Sequence, residues 1–236
     1  MTEVALVTGA AGALGAEVAR ALSARGCKLA LVDTERGEAR MRELASALGG
    51  ASIVAGDIAS EGAWAGVVAR VERELGAPPT QVALIAGGYR GGKKVHEEGD
   101  GSALAAMLNA NVETAYQSLR AVLPSMVARK KGSVVVVGSR AAVQPWTGSG
   151  SAAYAASKAA VVALAQAVAA EVIAHGVRVN AVLPSTMDTP ANRAAMPRAD
   201  PSEWVTLASA AGVIAFLLSD DARDVSGAAV PLYGRA

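Results

Sequence analysis

Short apolar runs alternate with longer stretches of helical period along the whole chain. The strand candidates are residues 4–7, 28–32, 52–55, 82–85, 133–137, 178–183 and 228–232. Several carry almost no polar alternation, and residues 134–137 are all valine. Strands apolar on both sides belong to a sheet covered on both faces, the usual condition of a parallel sheet. The helical stretches between them are residues 13–25, 37–48, 61–75, 102–129, 153–175 and 203–218, with Gly26, Gly49, Gly76, Gly132 and Gly176 placed as stops. This rhythm predicts an α/β fold: a doubly wound parallel sheet of about seven strands with helices on both faces. No linker or low-complexity tract divides residues 1–236, so a single domain is expected.

Composition narrows the partners. Hydrophobic residues make up 52% of the chain and aromatic ones only 3%, which suits close-packed helices on a sheet rather than a platform for stacking bases. A net charge of +1, from 22 basic and 21 acidic residues without a like-charge block, removes the field that a polyanion would need. No nucleic acid is expected; a small molecule is. Cys27 is the only cysteine, which rules out an internal disulfide and a thiolate metal cluster, and it reads as a small buried residue. His96 reads as solvated and His175, just before Gly176, as a helix C-terminal cap, so no metal site is expected. The first residues lack the pattern of a signal peptide, and the apolar stretch in residues 159–170 is too short to span a bilayer. The expectation is a cytoplasmic protein without a membrane partner.

Two irregular regions follow strands, at residues 87–100 and 184–202. Ligands of open parallel sheets bind at such places. Pro184, Pro190, Pro197 and Pro201 in the second argue for an ordered loop or lid rather than a helix.

The first strand runs into Gly9, Gly12, Ala13, Leu14 and Gly15 and then directly into a helix. Glycines there permit a tight turn and close backbone approach, so a pyrophosphate can sit against the helix N-terminus. Asp33 ends the second strand, where a carboxylate accepts hydrogen bonds from the adenosine ribose hydroxyls and repels a 2′-phosphate. Arg36 is the one nearby feature that suits NADP(H); NAD(H) is the expected cofactor and NADP(H) the lesser one. Asp57 and Ile58, after the third strand, are placed to bracket an adenine, although Asp57 also fits a helix N-cap. Together these features predict a Rossmann-like dinucleotide-binding and catalytic domain.

Tyr154 and Lys158 are spaced i, i+4 at the start of an apolar helix and so share one face. A phenol of pKa about 10 exchanges protons near neutral pH only if a positive neighbour stabilises its phenolate, and Lys158 is such a neighbour. Ser139 puts a hydroxyl at the C-terminal edge of the fifth strand. Asn111, a poor helix former inside a long helical stretch, can hold a water or interrupt the helix.

With these pieces assembled, the chain resembles the short-chain dehydrogenase/reductase family over its whole length. The resemblance rests on the turn at residues 8–15, Asp57, Ala86-Gly87, Asn111-Val112, Ser139, Tyr154 to Lys158, Arg178-Val179-Asn180-Ala181, Pro184 with Thr189, and Ser226-Gly227. It implies that Tyr154 gives or takes the substrate proton and that Lys158 lowers its pKa and binds the nicotinamide ribose. Ser139 would polarise the carbonyl and Asn111 complete a proton relay. It also implies that Ala86, Gly87, Gly88, Pro184, Met187 and Thr189 lie along the cofactor, with Thr189 at the carboxamide. Subunits would pair through their long helices as homodimers or homotetramers.

Departures from the family pattern are Gly12 and Ala13 in the turn, Ile85 before Ala86, and Ser185 after Pro184. A longer Ser139 to Tyr154 interval leaves Ser149 and Ser151 as weaker candidates for the serine role. Gly12 to Gly15, Ala86-Gly87-Gly88 with Gly91-Gly92, and the segment from Leu183 to Trp204 are similar to the dihydropteridine reductase branch, which prefers NADH but generally lacks the serine and the asparagine. The expected activity is hydride transfer between NAD(H) and a carbonyl or alcohol, with a quinonoid pterin as the alternative substrate. A non-catalytic dinucleotide sensor is the rival from another class. An epimerase or dehydratase normally adds a C-terminal substrate domain, for which few residues remain.

Overall fold

The structure, a computed structural model, describes residues 3–60 and 62–235. In chain order it comprises β1 (Val4–Thr8), α1 (Ala13–Ala24), β2 (Lys28–Asp33), α2 (Glu38–Ala47), β3 (Ser52–Ala55), α3 (Val67–Leu75) and β4 (Gln81–Leu84). There follow α4 (Ser102–Met107), α5 (Thr114–Arg129), β5 (Gly132–Val137), α6 (Ala152–Val172), β6 (Val177–Pro184), α7 (Pro190–Ala195), α8 (Leu207–Leu218) and β7 (Ala229–Leu232). The strands form one seven-stranded sheet in the order β3-β2-β1-β4-β5-β6-β7, and every neighbouring pair is parallel.

Two-sided burial explains the apolar strands. All of β1 and β6 is buried, and in β5 only Gly132 is partly open. Alternate residues point to opposite faces. Val4 and Leu6 join a core with α3, α5 and α6, whereas Ala5 and Val7 join one with α1, α2 and α8. Strand order reverses between β1 and β4, so the C-terminal ends of these two strands open the crevice in which such sheets hold ligands.

Several element ends differ from those expected. The helix predicted over residues 61–75 begins at Val67, because Gly66 takes a left-handed φ of 79° that a continuing helix forbids; Glu61 lies outside the described residues. The helix predicted from residue 203 begins at Leu207, where the Thr206 hydroxyl accepts from Ser209 N at 3.2 Å. The proline-rich stretch after β6 was expected to lack a helix, but it contains α7. Pro190 stands at the first helical position, where its missing N–H costs nothing, and Thr189 caps it.

Residues Ala152–His175 are long and apolar enough to cross a membrane, with mean hydropathy 1.5, contrary to the expectation from the shorter apolar stretch. Here Val161, Val162, Ala165, Val168, Ala169 and Val172 of that helix pack into the sheet core. Cys27 is half-buried rather than buried, its Sγ donating to Gln81 Oε1 at 3.7 Å. His175 is exposed on the 3₁₀ turn Ile173–His175, and exposed His96 lies 3.7 Å from a Glu97 carboxylate oxygen.

Candidate active site

The turn after β1 is shaped by close backbone contacts. Gly9 has φ 65°, and a Cβ there would lie 2.8 Å from Ala86 N. A Cβ at Gly15 would lie 2.1 Å from Gly9 O, so only glycine lets α1 start against its own turn. Gly12 N donates to Gly9 O at 3.0 Å, and Ala16 N to Gly12 O at 2.9 Å. Among the described residues no side chain caps α1, which leaves the N–H groups of Ala13, Leu14 and Gly15 at an open helix N-terminus. Such an end attracts an anion.

Asp33 is held against this turn. Its Oδ2 accepts from Ala11 N at 2.9 Å, and its Oδ1 from Thr34 N at 2.7 Å and Thr34 Oγ1 at 3.3 Å. A carboxylate has about four lone-pair sites, so this one retains acceptor capacity for ligand hydroxyls. Exposed Arg36 follows on the 3₁₀ turn Glu35–Gly37. Asp57 is exposed and its Oδ1 accepts from Ala59 N at 3.1 Å, which closes a turn rather than capping a helix as its simpler reading had it, since the next helix begins only at Val67. Ile58 is buried in the core, and its carbonyl accepts from Trp64 Nε1 at 3.1 Å. Thr8, with no assigned role in the sequence, is buried and its Oγ1 accepts from Ile85 N at 3.0 Å and Ala86 N at 3.1 Å. It thereby ties the end of β1 to the chain leaving β4. The glycine cradle, the uncapped helix start and the fixed acid fit a dinucleotide.

The second group lies past β4, β5 and β6. Lys158 is buried and its Nζ donates to Val137 O at 2.8 Å; burial alone holds its pKa down at about 8. As the i, i+4 spacing predicts, the ammonium lies 5.9 Å from the centroid of the Tyr154 ring. Contrary to the lowering expected from Lys158, burial raises the Tyr154 phenol above its ordinary pKa; the Ser139 side chain opposes this and Tyr89 adds a smaller rise. Ser139 also accepts from Ala141 N at 3.2 Å, which fixes its hydroxyl at the end of β5. Ser151 instead donates to Gly148 O at 2.6 Å and Ser149 is exposed, so Ser139 is the serine brought to Tyr154.

Asn111 interrupts its helix, as one of its two expected roles requires. Residues Leu108–Glu113 form a π-helical turn between α4 and α5, and the Asn111 side chain is buried at its centre. Its Oδ1 accepts from Gly88 N at 2.9 Å, while Nδ2 donates to Gly88 O at 3.1 Å and to Ser157 Oγ at 3.0 Å. A Cβ at Gly87 would come within 2.6 Å of Asn111 Oδ1 and 3.4 Å of Lys158 Nζ. Asn111 therefore latches the strap of Ala86, Gly87 and Gly88 onto α6. Sequence reasoning missed Ser157, whose Oγ donates onward to Tyr154 O at 2.8 Å.

Past buried Pro184, Met187 pairs with Val205 in a parallel bridge and its carbonyl accepts from Asn192 Nδ2 at 2.8 Å. Thr189 Oγ1 accepts from Asn192 N at 3.1 Å, leaving its O–H free to donate. All these segments lie at the C-terminal edge of the sheet, the same edge as the glycine turn.

The chain is 28% identical to a 2,5-dichloro-2,5-cyclohexadiene-1,4-diol dehydrogenase of Sphingobium indicum, over 98% of this chain and 95% of that one. It is 34% identical to a 2,3-dihydro-2,3-dihydroxybenzoate dehydrogenase of Bacillus subtilis, over 79% of this chain and 70% of the other. Among solved structures, an NAD⁺-bound xylitol dehydrogenase superposes with a TM-score of 0.86 at 29% identity, covering 98% of both chains. Residues 3–200 match the family described as short chain dehydrogenase. With the crevice, the glycine cradle and the tyrosine–lysine pair in place, the chain belongs to the short-chain dehydrogenase/reductase family of oxidoreductases, which use nicotinamide dinucleotides.

Proposed function

We propose that this chain is an NAD(H)-dependent oxidoreductase that interconverts a secondary alcohol and its carbonyl, with Tyr154 as acid/base. The observation that carries this reading is the buried Lys158 ammonium, tied to Val137 O and 5.9 Å from the centroid of the Tyr154 ring, on the same helix face. When bound, the nicotinamide supplies or accepts the hydride. In the reducing direction Tyr154 Oη gives its proton to the carbonyl oxygen while Ser139 Oγ donates a hydrogen bond to the same oxygen. The Lys158 ammonium stabilises the phenolate left behind. The N–H groups of Ala13, Leu14 and Gly15 hold the pyrophosphate, and Asp33 accepts from the adenosine ribose. Asp57 and Ile58 border the adenine, and Ala86, Gly87 and Gly88 line the cofactor between its ends. Pro184 and Met187 lie along the cofactor and Thr189 contacts the carboxamide. Asn111 keeps the strap and α6 in register.

The named substrates of two relatives are cyclic diols, which supports a cyclic secondary alcohol or ketone here. Retention of Ser139 at the end of β5 and of Asn111, linked through Ser157 to the Tyr154 backbone, supports an ordinary carbonyl over a pterin, and a catalyst over a sensor. Leu104, Leu108 and Tyr116 stay exposed on α4, the π turn and α5, which favours pairing of subunits through these helices. A cytoplasmic location accompanies this reading.

The cofactor assignment is tested with a panel of cyclic alcohols and NAD⁺ or NADP⁺, for the wild type and Asp33→Ala. A 2′-phosphate beside Asp33 loses hydroxyl donors and meets like charge, so NAD⁺ should be preferred by about 30-fold or more. Asp33→Ala should narrow that ratio from both sides. A wild type that prefers NADP⁺ would overturn the assignment and point to Arg36.

A further inference from the structure

Tyr89 lies in the strap after β4, and it is 68% exposed in a chain with only four tyrosines. Its ring nonetheless meets the Tyr154 ring edge to face, with centroids 5.0 Å apart and planes at 74°. An exposed ring at the rim of a reactive phenol contributes little to the core; it is an apolar surface left uncovered.

The strap is built to hold this ring still. Before Tyr89, both backbone groups of Gly88 are bonded to the Asn111 amide. After it, Gly92 N donates to Gly150 O at 2.9 Å, just ahead of α6. Gly91 provides the seat: a Cβ there would lie 2.3 Å from Tyr89 Oη and 2.8 Å from Cζ. The hydroxyl end of the ring thus rests on the strap's own backbone. An aromatic side chain has only two rotatable bonds, and here the ring touches both the strap's backbone and Tyr154.

We propose that Tyr89 is the specificity-determining residue for the alcohol or carbonyl substrate, forming a flat wall beside Tyr154 that selects cyclic substrates over linear ones. This rests on the oxidoreductase reading above. A ring whose reacting carbon lies at Tyr154 lays a broad C–H face against the Tyr89 π face, and fixing its orientation costs little entropy. A linear secondary alcohol of equal polarity presents a narrower, mobile chain and covers less of the wall.

The test is the ratio of kcat/KM for a cyclic over a linear secondary alcohol, measured with saturating NAD⁺ for the wild type, Tyr89→Ala and Tyr89→Phe. Kd for NADH is measured alongside by calorimetry. The wild type should favour the cyclic substrate. Tyr89→Ala should lower the ratio about tenfold, through KM of the cyclic substrate more than through kcat, and Tyr89→Phe should restore it because the ring rather than the hydroxyl forms the wall. Equal losses on both substrates, or a Tyr89→Phe ratio as low as that of Tyr89→Ala, would overturn the proposal while leaving the oxidoreductase reading intact. A wild type that binds NADH but oxidises neither alcohol would overturn both.

Discussion

The two halves of the crevice are made from different materials. On the β1 to β3 side, binding surface is mostly backbone: Gly9 and Gly15 in positions that admit no Cβ, an uncapped helix start, and one acid pinned by Ala11 N and Thr34 N. On the β4 to β6 side it is buried side chains tied to backbone groups, Lys158 to Val137 O and Asn111 to Gly88. A backbone cradle binds any ligand with the right phosphate spacing and leaves charge on nothing of its own. A side-chain corner places a proton and a charge where water is scarce, which is what acid–base chemistry needs. The first half is therefore read as holding, the second as reacting.

Removing the reacting group without disturbing the holding one gives the largest separation. Tyr154→Phe keeps the ring that packs on Tyr89 and deletes only the hydroxyl. Turnover should fall by about 10² to 10⁴ while Kd for NADH is little changed, as read by steady-state kinetics and calorimetry. A parallel loss of binding would mean that the two halves are not separable in this way.

The converse change is Gly15→Ala. Its Cβ would press on Gly9 O, Gly9 C and Ala10 Cα, all backbone, so the turn must open. Kd for NADH should rise about ten- to a hundred-fold, with a lowered melting temperature. Unchanged NADH binding would show that the cradle does not hold the pyrophosphate.

The same contrast explains what could be read in the sequence. Seven strands were legible because helices cover both faces, leaving runs such as the four valines of β5. The cradle was legible because glycine is the only residue that fits Gly9 and Gly15. Tyr154 and Lys158 were legible from their spacing on one helix. The contacts that position them were not. Asn111 reaches Gly88 through a π turn that no helical period announces, and Ser157 looked like an ordinary helix-surface residue. Tyr89 meets Tyr154 only because two distant loops are joined at Gly92 and Gly150. The start of α3 and the presence of α7 were misplaced because a left-handed Gly66 and a proline at a helix's first position leave the apolar pattern unchanged.

Least legible was the electrostatic state of the corner, since the Lys158 spacing says nothing about its burial. The side chain is 6% exposed, and desolvation holds its pKa at about 8 against 10.5 in the unfolded chain. Between these values the unfolded state binds the extra proton, so stability rises with pH there. The penalty is complete below about pH 8 and gone above about 10.5. Lys158→Met fills a similar volume without the charge. Its unfolding free energy at pH 7, from urea denaturation, should exceed the wild type's by about 1 to 3 kcal/mol, less than the full linkage value because Val137 O loses its donor. That gain should shrink as pH rises past about 8 and reverse sign near 10.5, where only the lost Val137 O hydrogen bond remains, while alcohol oxidation is lost at every pH. A Lys158→Met protein less stable than the wild type at pH 7, or equally active, would contradict the claim that the fold gives up stability to keep a charge beside Tyr154.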